Sequence, residues 1–191
     1  MENVDNILEL LGLENKLTLE EIPKIDLYMD QVIQLFENKF SETKRNEDEK
    51  VLTKTMINNY AKGKLLFPIK NKKYSKEHLI LMSLIYQLKG ALSINDIKTT
   101  LGKINEKIMK EDFQLDSFYE SYLNLTTRNV QDFKVDVGKR AEQVIDQETG
   151  VEDLEKILLI ASLANMSNLY RRVAEKLVDE MVEAKPGKGH K

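Results

Sequence analysis

The sequence predicts an all-α protein in which a small β wing follows the first helices and a long helical hairpin ends the chain. Only 3 prolines and 8 glycines interrupt 191 residues. Apolar residues recur at three- and four-residue steps through most of the chain, which is the spacing of one helix face. The composition, 41% apolar and 32% charged, suits helices that keep large faces in solvent.

Two helices are predicted before residue 41. The first runs from Val4 to Leu11. Thr18 to Glu21 then has the pattern of a capping box, and Pro23 is a residue type that favours the first turn of a helix. We therefore expect a helix over Lys24 to Phe40. Its apolar side should face the core with seven residues: Ile25, Tyr28, Met29, Val32, Ile33, Leu35 and Phe36.

A short third helix is predicted after the polar connector at 46–50. Thr53 is a good N-cap for a helix that runs to Ala61 or Lys62. Gly63 stands where a left-handed C-cap residue would fall. At 3.6 residues per turn three apolar residues share the inward side of this helix: Met56, Ile57 and Tyr60. The opposite side presents polar residues: Thr55, Asn58 and Lys62, flanked by Lys54 and Asn59.

A small wing is predicted between this helix and the next. Residues 65–69 are strand-like and contain one proline, and Lys70 to Lys73 form a basic tip. Ser75 then caps a helix over Lys76 to Lys89, which has hardly any polar face and should be buried. Ser93, with Asp96 three residues on, opens a further helix.

Two long helices are predicted for the C-terminal part. Apolar residues recur over 112–147, which form one helix or two, and again over Val151 to Val182. Gly150 between them favours an antiparallel hairpin, and such a hairpin cannot bury its apolar surface alone. The expected organisation has four parts: an N-terminal helix (1–20), a helix-and-wing region (21–110), a hairpin for dimerisation or effector binding (111–185) and a disordered tail (186–191).

Charge is distributed unevenly along the chain. The formal net charge is -3, but residues 50–76 hold eight lysines and no acidic residue, whereas residues 1–49 have a net charge of -8. A concentration of cations attracts polyanions and steers their approach. Charge alone also leaves open an ordinary solvated surface without a ligand.

The composition argues against several classes of chemistry. The chain has no cysteine, so it can form no disulfide, zinc–thiolate cluster or cysteine nucleophile. Its two histidines, His78 and His190, are far apart in the sequence, and no glycine-rich phosphate loop is present. We expect no enzymatic activity, no cofactor and no metal.

No apolar segment is long enough to span a bilayer. The longest apolar runs are Leu79 to Met82 and Ile157 to Leu163, and a membrane helix needs about 20 apolar residues. The N-terminus is acidic where a signal peptide would be basic. We therefore expect a cytoplasmic protein that does not bind membranes.

The order of the elements, together with several residues, resembles the MerR-type winged helix-turn-helix domain. Three motifs match: Ile57-Asn-Asn-Tyr60 with Gly63-Lys-Leu-Leu-Phe-Pro68, Tyr74-Ser-Lys-Glu-His-Leu79, and Leu92-Ser-Ile-Asn-Asp-Ile-Lys98. The resemblance implies a winged helix-turn-helix-like N-terminal half that binds DNA. Asn58 and Asn59 replace an arginine and a tyrosine that are common in that family, and Lys72 matches its wing arginine.

Three segments are similar, more closely, to a bacterial family known only as a domain of unknown function. These segments are Ile22 to Asp30, Thr53 to Tyr60 and Lys72 to His78. That family supplies no activity that could be transferred to this chain. The functional prediction therefore depends on the DNA-binding resemblance and on the charge distribution.

The resulting hypothesis is a DNA-binding transcriptional regulator. Amide, hydroxyl and amine side chains reach base edges in the major groove. Four residues would therefore face the bases of double-stranded DNA: Thr55, Asn58, Asn59 and Lys62. Four more would contact phosphates: Lys54, Lys70, Lys72 and Lys73. The alternative is a non-enzymatic protein-interaction or assembly module that binds an acidic partner through the same helices and wing.

A homodimer held by residues 112–185 is also predicted. The apolar run at 157–163 has no polar side, and one antiparallel neighbour covers only one side of a helix. A two-fold dimer would bury the remainder and would present two recognition helices about 34 Å apart. The alternative is a monomer in which the two N-terminal helices cover this surface.

Overall fold

The computed structural model describes residues 4–110, 113–145 and 152–183. In these ranges the chain forms seven α-helices: α1 (Val4–Leu10), α2 (Met29–Phe40), α3 (Lys54–Lys62), α4 (Lys76–Leu88), α5 (Ile94–Met109), α6 (Leu115–Ile145) and α7 (Glu152–Glu183). Two short strands, β1 (Leu27–Tyr28) and β2 (Lys73–Tyr74), and a 3₁₀ turn at Ser41–Thr43 complete the fold. The prediction of a mostly helical protein is confirmed.

Strand β2 pairs antiparallel with β1, which lies 45 residues earlier in the chain. Leu27 is opposite Tyr74 and Tyr28 is opposite Lys73. On its other side, Lys73 forms a single bridge with Lys70 across the tip of the wing. The prediction of a strand at 65–69 is wrong, because these residues are irregular and β2 pairs with β1 instead. The turn over Lys70 to Lys73, which we continue to call the wing, is therefore fixed to the start of α2.

Helix α2 begins five residues later than predicted. Residues 27–28 pair with β2 and are therefore extended, so α2 starts at Met29. Ile25 and Tyr28, which were expected to face the core, are 69% and 56% exposed. The prediction for these two residues is wrong because Ile25 lies in a bend before β1, and the strand register, not the helix period, sets the direction of Tyr28.

The capping-box pattern at Thr18 closes a turn without opening a helix. The Thr18 N–H donates to the Glu21 carboxylate at 2.9 Å, and the Glu21 N–H donates to the Thr18 carbonyl at 3.2 Å. These bonds satisfy the local backbone donors. The chain then continues through Pro23 to β1 without a helical turn.

Helix α4 lies at the centre of the core. Its eight residues from His78 to Ile85 are all buried, which explains the near absence of a polar face in its sequence. Three buried residues of α2 pack in the same core: Val32, Phe36 and Phe40. Helix α5 adds Ile97 and Leu101.

The first half of α6 completes this core. Leu115, Tyr119 and Leu123 are buried in it. The Tyr119 hydroxyl donates to the Leu17 carbonyl at 2.7 Å and lies 2.9 Å from the Ser83 hydroxyl. The region 112–147, predicted as one helix or two, contains the single helix α6 over its described residues.

Helix α7 pairs with α6 and α5 but buries little of its length. Among its described side chains only Leu159 and Val178 are buried. Leu159 packs with Ala141 and Val144 of α6 in a small second cluster, whereas Val178 joins the main core. The predicted tail, 186–191, lies outside the described residues.

None of the described helices is both long enough and apolar enough to cross a membrane.

Candidate nucleic-acid interface

Helix α3 is positioned by its cap and by two buried residues. The Thr53 hydroxyl accepts a hydrogen bond from the Met56 N–H at 3.1 Å, as expected for an N-cap. Ile57 and Tyr60 are buried in the main core and Met56 packs against it. The predicted inward face is therefore correct, and the opposite side of α3 is turned to solvent.

The outward face of α3 consists of four exposed side chains: Thr55, Asn58, Asn59 and Lys62. At 3.6 residues per turn these positions fall within an arc of about 100°. Neither asparagine side chain makes a hydrogen bond to a described residue. The face therefore offers two uncommitted amides, each of which can donate and accept.

A Schellman motif closes the C-terminal end of α3. The Lys64 N–H donates to the Ala61 carbonyl at 3.1 Å, and the Leu65 N–H donates to the Tyr60 carbonyl at 2.9 Å. The left-handed residue is Lys64, with φ of 59°, so the prediction that Gly63 would be left-handed is wrong. Gly63 is instead required by space, because a Cβ there would lie 2.8 Å from Leu65 Cδ1.

The tip of the wing is a two-residue turn. The Lys73 N–H donates to the Lys70 carbonyl at 3.0 Å. The two central residues, Asn71 and Lys72, have φ of 52° and 58°, the signs required by a type I′ turn. The turn exposes the side chains of Lys70 and Lys72.

Helix α3 and the wing meet at the start of α2. The Lys54 ammonium lies 2.8 Å from the Asp30 carboxylate, and the Lys73 ammonium lies 5.1 Å from the centroid of the Tyr28 ring. Two of the four lysines predicted to contact phosphates are therefore engaged with the protein. Both contacts are near the surface, where exchange for another partner costs little.

The eight lysines between residues 50 and 76 differ in their surroundings. Lys76 pairs with Asp116 of α6 at 2.6 Å, and Lys54 and Lys73 have the partners just described. Four others near α3 and the wing are exposed and have no acidic partner among the described residues: Lys62, Lys64, Lys70 and Lys72. We call these four residues, together with the outward face of α3, the lysine-rich surface.

The acidic connector before α3 lies near the C-terminal end of α4, whereas the wing lies near its N-terminal end. The Glu49 carboxylate accepts a hydrogen bond from the Arg45 N–H at 3.1 Å, and its charge acts on Lys89, just after the C-terminus of α4. The wing is attached at the N-terminus of α4, about 20 Å away along a 13-residue helix. Glu49 therefore lies near the end of α4 opposite to the wing.

His78 fastens the wing to α4. It is 3% exposed, and its Nδ1 accepts a hydrogen bond from the Ser75 N–H at 3.1 Å. Nε2 donates to the Phe67 carbonyl at 3.2 Å, and the His78 ring stacks on that of Phe67 at 3.8 Å between centroids. Burial lowers the pKa of His78. The neutral imidazole thus joins both arms of the wing to the core.

Asn105 holds the segment between α3 and the wing from the other side. Its Nδ2 donates to the Leu65 carbonyl at 2.9 Å and to the Leu101 carbonyl at 3.2 Å. Leu65 is fully buried. The lysine-rich surface is therefore carried by a backbone that is fixed at both ends.

The sequence did not predict the positions of Lys64, which belongs to this surface, and of Tyr28, which lies beside it. Lys64 was predicted only to contribute to the positive charge of residues 50–76, because nothing in the sequence near it indicates that Lys64, and not Gly63, takes the left-handed position. Tyr28 was predicted in the core, because the strand that turns it outward is only two residues long. The sequence carries no local signal for so short a strand, because its register is set by pairing with β2.

The class defined by these observations is a small helical protein with a lysine-rich helix-and-turn surface. The chain belongs to the family described as Domain of unknown function (DUF1836), which matches residues 17–122. No curated protein and no solved structure matches the chain.

The resemblance to MerR-type domains is not supported, because the family found is DUF1836 and nothing in it indicates that domain type. The residues that suggested it have another explanation. Ile57, Tyr60 and Leu65 are core residues, and Gly63 is required by the close approach of Leu65. The motif therefore reflects the packing of a helix, its C-cap and the turn that follows, and this packing does not depend on DNA binding.

Within the described residues no group of three or more histidine, aspartate or glutamate side chains could hold a metal ion.

Proposed function

We propose that the chain is a non-enzymatic regulator that binds double-stranded DNA through the lysine-rich surface. One observation supports this proposal above the others. Four exposed lysines, which have no acidic partner within the part of the chain that the structure describes, border a helix face with two asparagines that make no side-chain hydrogen bond to that part. Cations hold phosphates, and amides distinguish base edges.

The dimensions of α3 suit the major groove of duplex DNA. An α-helix with its side chains is about 10–12 Å in diameter, and the groove is about 12 Å wide. Thr55, Asn58, Asn59 and Lys62 would face the bases, with each asparagine able to form a bidentate pair with adenine. Lys70 and Lys72 would contact the phosphate backbone beside the groove.

Backbone conformation gives a second argument for a polyanionic ligand. Lys64 and Lys72 both have positive φ, a conformation that costs a non-glycine residue about 1–2 kcal/mol. Glycine would relieve this cost at either position. Lysines at two left-handed positions on one surface are consistent with a role that requires their charge.

Lys54 and Lys73 have a secondary role in this proposal. Their contacts with Asp30 and Tyr28 orient them at the junction of α3 and the wing. An exposed ion pair contributes at most about 1 kcal/mol, so a phosphate could replace Asp30 as the partner of Lys54.

In this proposal the protein acts as a homodimer whose interface is formed by α7. The second half of α7 exposes four apolar side chains within an arc of about 100°: Leu169, Tyr170, Val173 and Leu177. Helix α1 packs on α6 and leaves this stripe of α7 open.

DNA binding is tested by the anisotropy of a labelled duplex of random sequence over a range of salt concentrations. Each phosphate contact should contribute about 0.9 to the slope of log affinity against log salt. Lys72→Gln should reduce that slope by about one contact. Lys103→Gln, which removes an exposed lysine from α5, should leave it unchanged. An affinity that does not vary with salt would contradict the proposal.

Base readout is tested with a site selected from a random pool by the wild-type chain. Asn58→Ala should relax preference at one or two base pairs, at about 1–3 kcal/mol for each lost bidentate contact. Binding to random duplex should be unaffected. If polyglutamate binds as tightly as DNA, and Asn58→Ala alters neither, the surface recognises an acidic protein partner.

Dimer formation is tested by light scattering at micromolar concentration, where we expect twice the chain mass of 22.1 kDa. Val173→Asp should convert the protein to a monomer, because it buries a charge in the proposed interface. Asn168→Asp adds the same charge on the opposite side of α7 and should leave the dimer intact. A wild-type mass of one chain would refute this part of the proposal.

A further inference from the structure

A cavity of about 450 Å³ lies on a different part of the molecule from the lysine-rich surface. Its walls are the segment after α1, from Leu13 to Lys16, and the middle of α6, from Leu123 to Phe133. Its floor is formed by Ser83 and Gln87 of α4. We propose that this cavity binds a small organic anion with an apolar body.

The two walls of the cavity are joined by contacts between their side chains. The Lys16 ammonium donates a hydrogen bond to the Thr127 hydroxyl, and the Lys134 ammonium pairs with the Glu14 carboxylate at 2.8 Å. Both contacts join the segment after α1 to α6. The opening is thereby held in one shape before any ligand enters, which reduces the entropy cost of binding.

The floor of the cavity is rigid as well. Ser83 lies within 2.9 Å of the buried Tyr119 hydroxyl, which is itself bonded to the Leu17 carbonyl. The segment after α1 also has a fixed end, since the Asn15 side-chain amide donates to Glu42 at 3.0 Å. A preformed cavity of this volume is in the range of small-molecule sites.

The charges at the cavity determine the sign of its ligand. Glu14 and Lys16 are the ionisable acid and base that line it, and Lys134 already neutralises Glu14. The hydrogen bond from Lys134 lowers the pKa of Glu14, so this carboxylate stays ionised and paired. Lys16 also acts on Glu14 through its charge, but its hydrogen-bond partner is the neutral Thr127 hydroxyl. Two cations therefore share one carboxylate, and an anionic ligand would balance the excess positive charge.

The remaining lining suits a ligand with an apolar body and at least one hydrogen-bonding group. Apolar surface comes from Leu123, Val130 and Phe133. Burial raises the pKa of Tyr122 to about 12, so its hydroxyl keeps its proton, and it makes no hydrogen bond to a described residue. The Gln87 amide is also uncommitted. Both groups can bond to a ligand.

The cavity arises where the family region meets the rest of the chain. Ser83, Gln87 and Tyr122 lie within the family match at 17–122. Lys16 and Thr127, which close the opening, lie outside it. Ligand binding would therefore fasten the segment after α1 and the middle of α6 to the family core, whatever the lysine-rich surface binds.

Three ligands with one apolar body and different head groups test the proposal: indole-3-acetate, indole-3-acetamide and tryptamine. Each is titrated into the ¹⁵N-labelled full-length chain while amide shifts are recorded. We expect saturable shifts at Ser83, Gln87 and Thr127. The anion should bind about tenfold more tightly than the neutral amide, because a charge-assisted hydrogen bond is added, and the cation should bind most weakly.

Two variants separate the cavity from non-specific binding. Lys16→Gln should abolish the advantage of the anion over the amide, whereas Lys24→Gln, which removes an exposed lysine elsewhere, should preserve it. A folded Lys16→Gln protein that still prefers the anion would overturn the proposal. Absence of saturable shifts at millimolar ligand, or shifts confined to α7, would overturn it as well.

Discussion

The family region at 17–122 and helix α7 use their apolar residues in opposite ways. In the family region, α4 is surrounded by α2, α5 and α6, and eight consecutive residues are buried. In α7 only Leu159 and Val178 are buried among the described side chains. Other apolar residues of α7 are exposed, such as Val173 at 62% and Leu177 at 57%. The first region forms its core within one chain, whereas the second leaves apolar side chains exposed to solvent.

This contrast separates stability from assembly. Truncating a buried side chain removes its packing contacts and the free energy gained by burying it from water. Truncating an exposed side chain removes neither in the single chain, and has an effect only in a complex in which a second molecule covers that side chain. Substitutions in the two regions should therefore be measured differently, by unfolding in the first and by association in the second.

The largest expected effect is in the family core. Phe36→Ala should lower the free energy of unfolding by about 3–5 kcal/mol, since Phe36 is fully buried and packs 5.8 Å from Phe40 between ring centroids. Leu177→Ala should change it by less than about 0.5 kcal/mol at concentrations where the chain is monomeric. Denaturant titration of both variants makes the comparison. Equal losses would show that α7 is as well packed as the core.

A smaller loss is expected where α6 joins the family core. Tyr119→Phe removes a hydroxyl from a site with no solvent access and leaves the Leu17 carbonyl without its donor. The free energy of unfolding should fall by about 1–3 kcal/mol. Tyr122→Phe is the control, because its hydroxyl makes no hydrogen bond to a described residue, and it should unfold like the wild type. Two equal losses would contradict the assigned hydrogen bonds.

The sequence predicted the helices best where capping and period agree. Thr53, Ser75 and Ser93 each precede a helix as expected, because an N-cap acts through bonds within three residues. The start of α2 was misjudged because β1 pairs with residues 45 positions away. Non-local pairing of this kind leaves no local signal in two residues.

The candidate surface was only partly predictable for a similar reason. The outward positions of α3 follow from its period, and they were placed correctly. The partners of Lys54 and Lys73 depend on Asp30 and Tyr28, which come together only in the tertiary structure. The cavity beside Lys16 was not predicted at all, because its walls are more than 100 residues apart along the chain.

The stability of the family region, unlike that of α7, should depend on pH through His78. Burial lowers the pKa of His78 below its ordinary value of about 6.5, so the unfolded chain binds this proton more readily than the folded one. Its contribution to stability is complete above about pH 6.5 and is lost as the pH falls through the pKa of the folded state. We expect a lower denaturant midpoint at mildly acidic pH.

His78→Gln isolates this contribution. The glutamine oxygen can still accept a hydrogen bond from the Ser75 N–H, as in an ordinary capping box, but it does not titrate. The variant should be less stable than the wild type at neutral pH, because it loses stacking on Phe67, and its stability should vary less with pH in this range. Identical pH dependence in both proteins would assign the effect to other groups.

The smallest predicted effect separates stability from function at the lysine-rich surface. Lys64 has a left-handed conformation that costs a non-glycine residue about 1–2 kcal/mol. Glycine at this position would avoid that cost, but part of the gain in stability is lost because glycine has more conformational freedom in the unfolded chain. Lys64→Gly should therefore raise the free energy of unfolding by about 0.5–1 kcal/mol, while weakening DNA binding through the loss of one charge. Lys62→Gly loses the same charge at a right-handed helical position and should destabilise the protein by about 0.5–1 kcal/mol. Lys64→Gln keeps the backbone cost and removes only the charge, so its stability should equal that of the wild type. If Lys64→Gly is no more stable than Lys64→Gln, the left-handed position carries no cost, and the argument that its lysine is kept for a ligand fails.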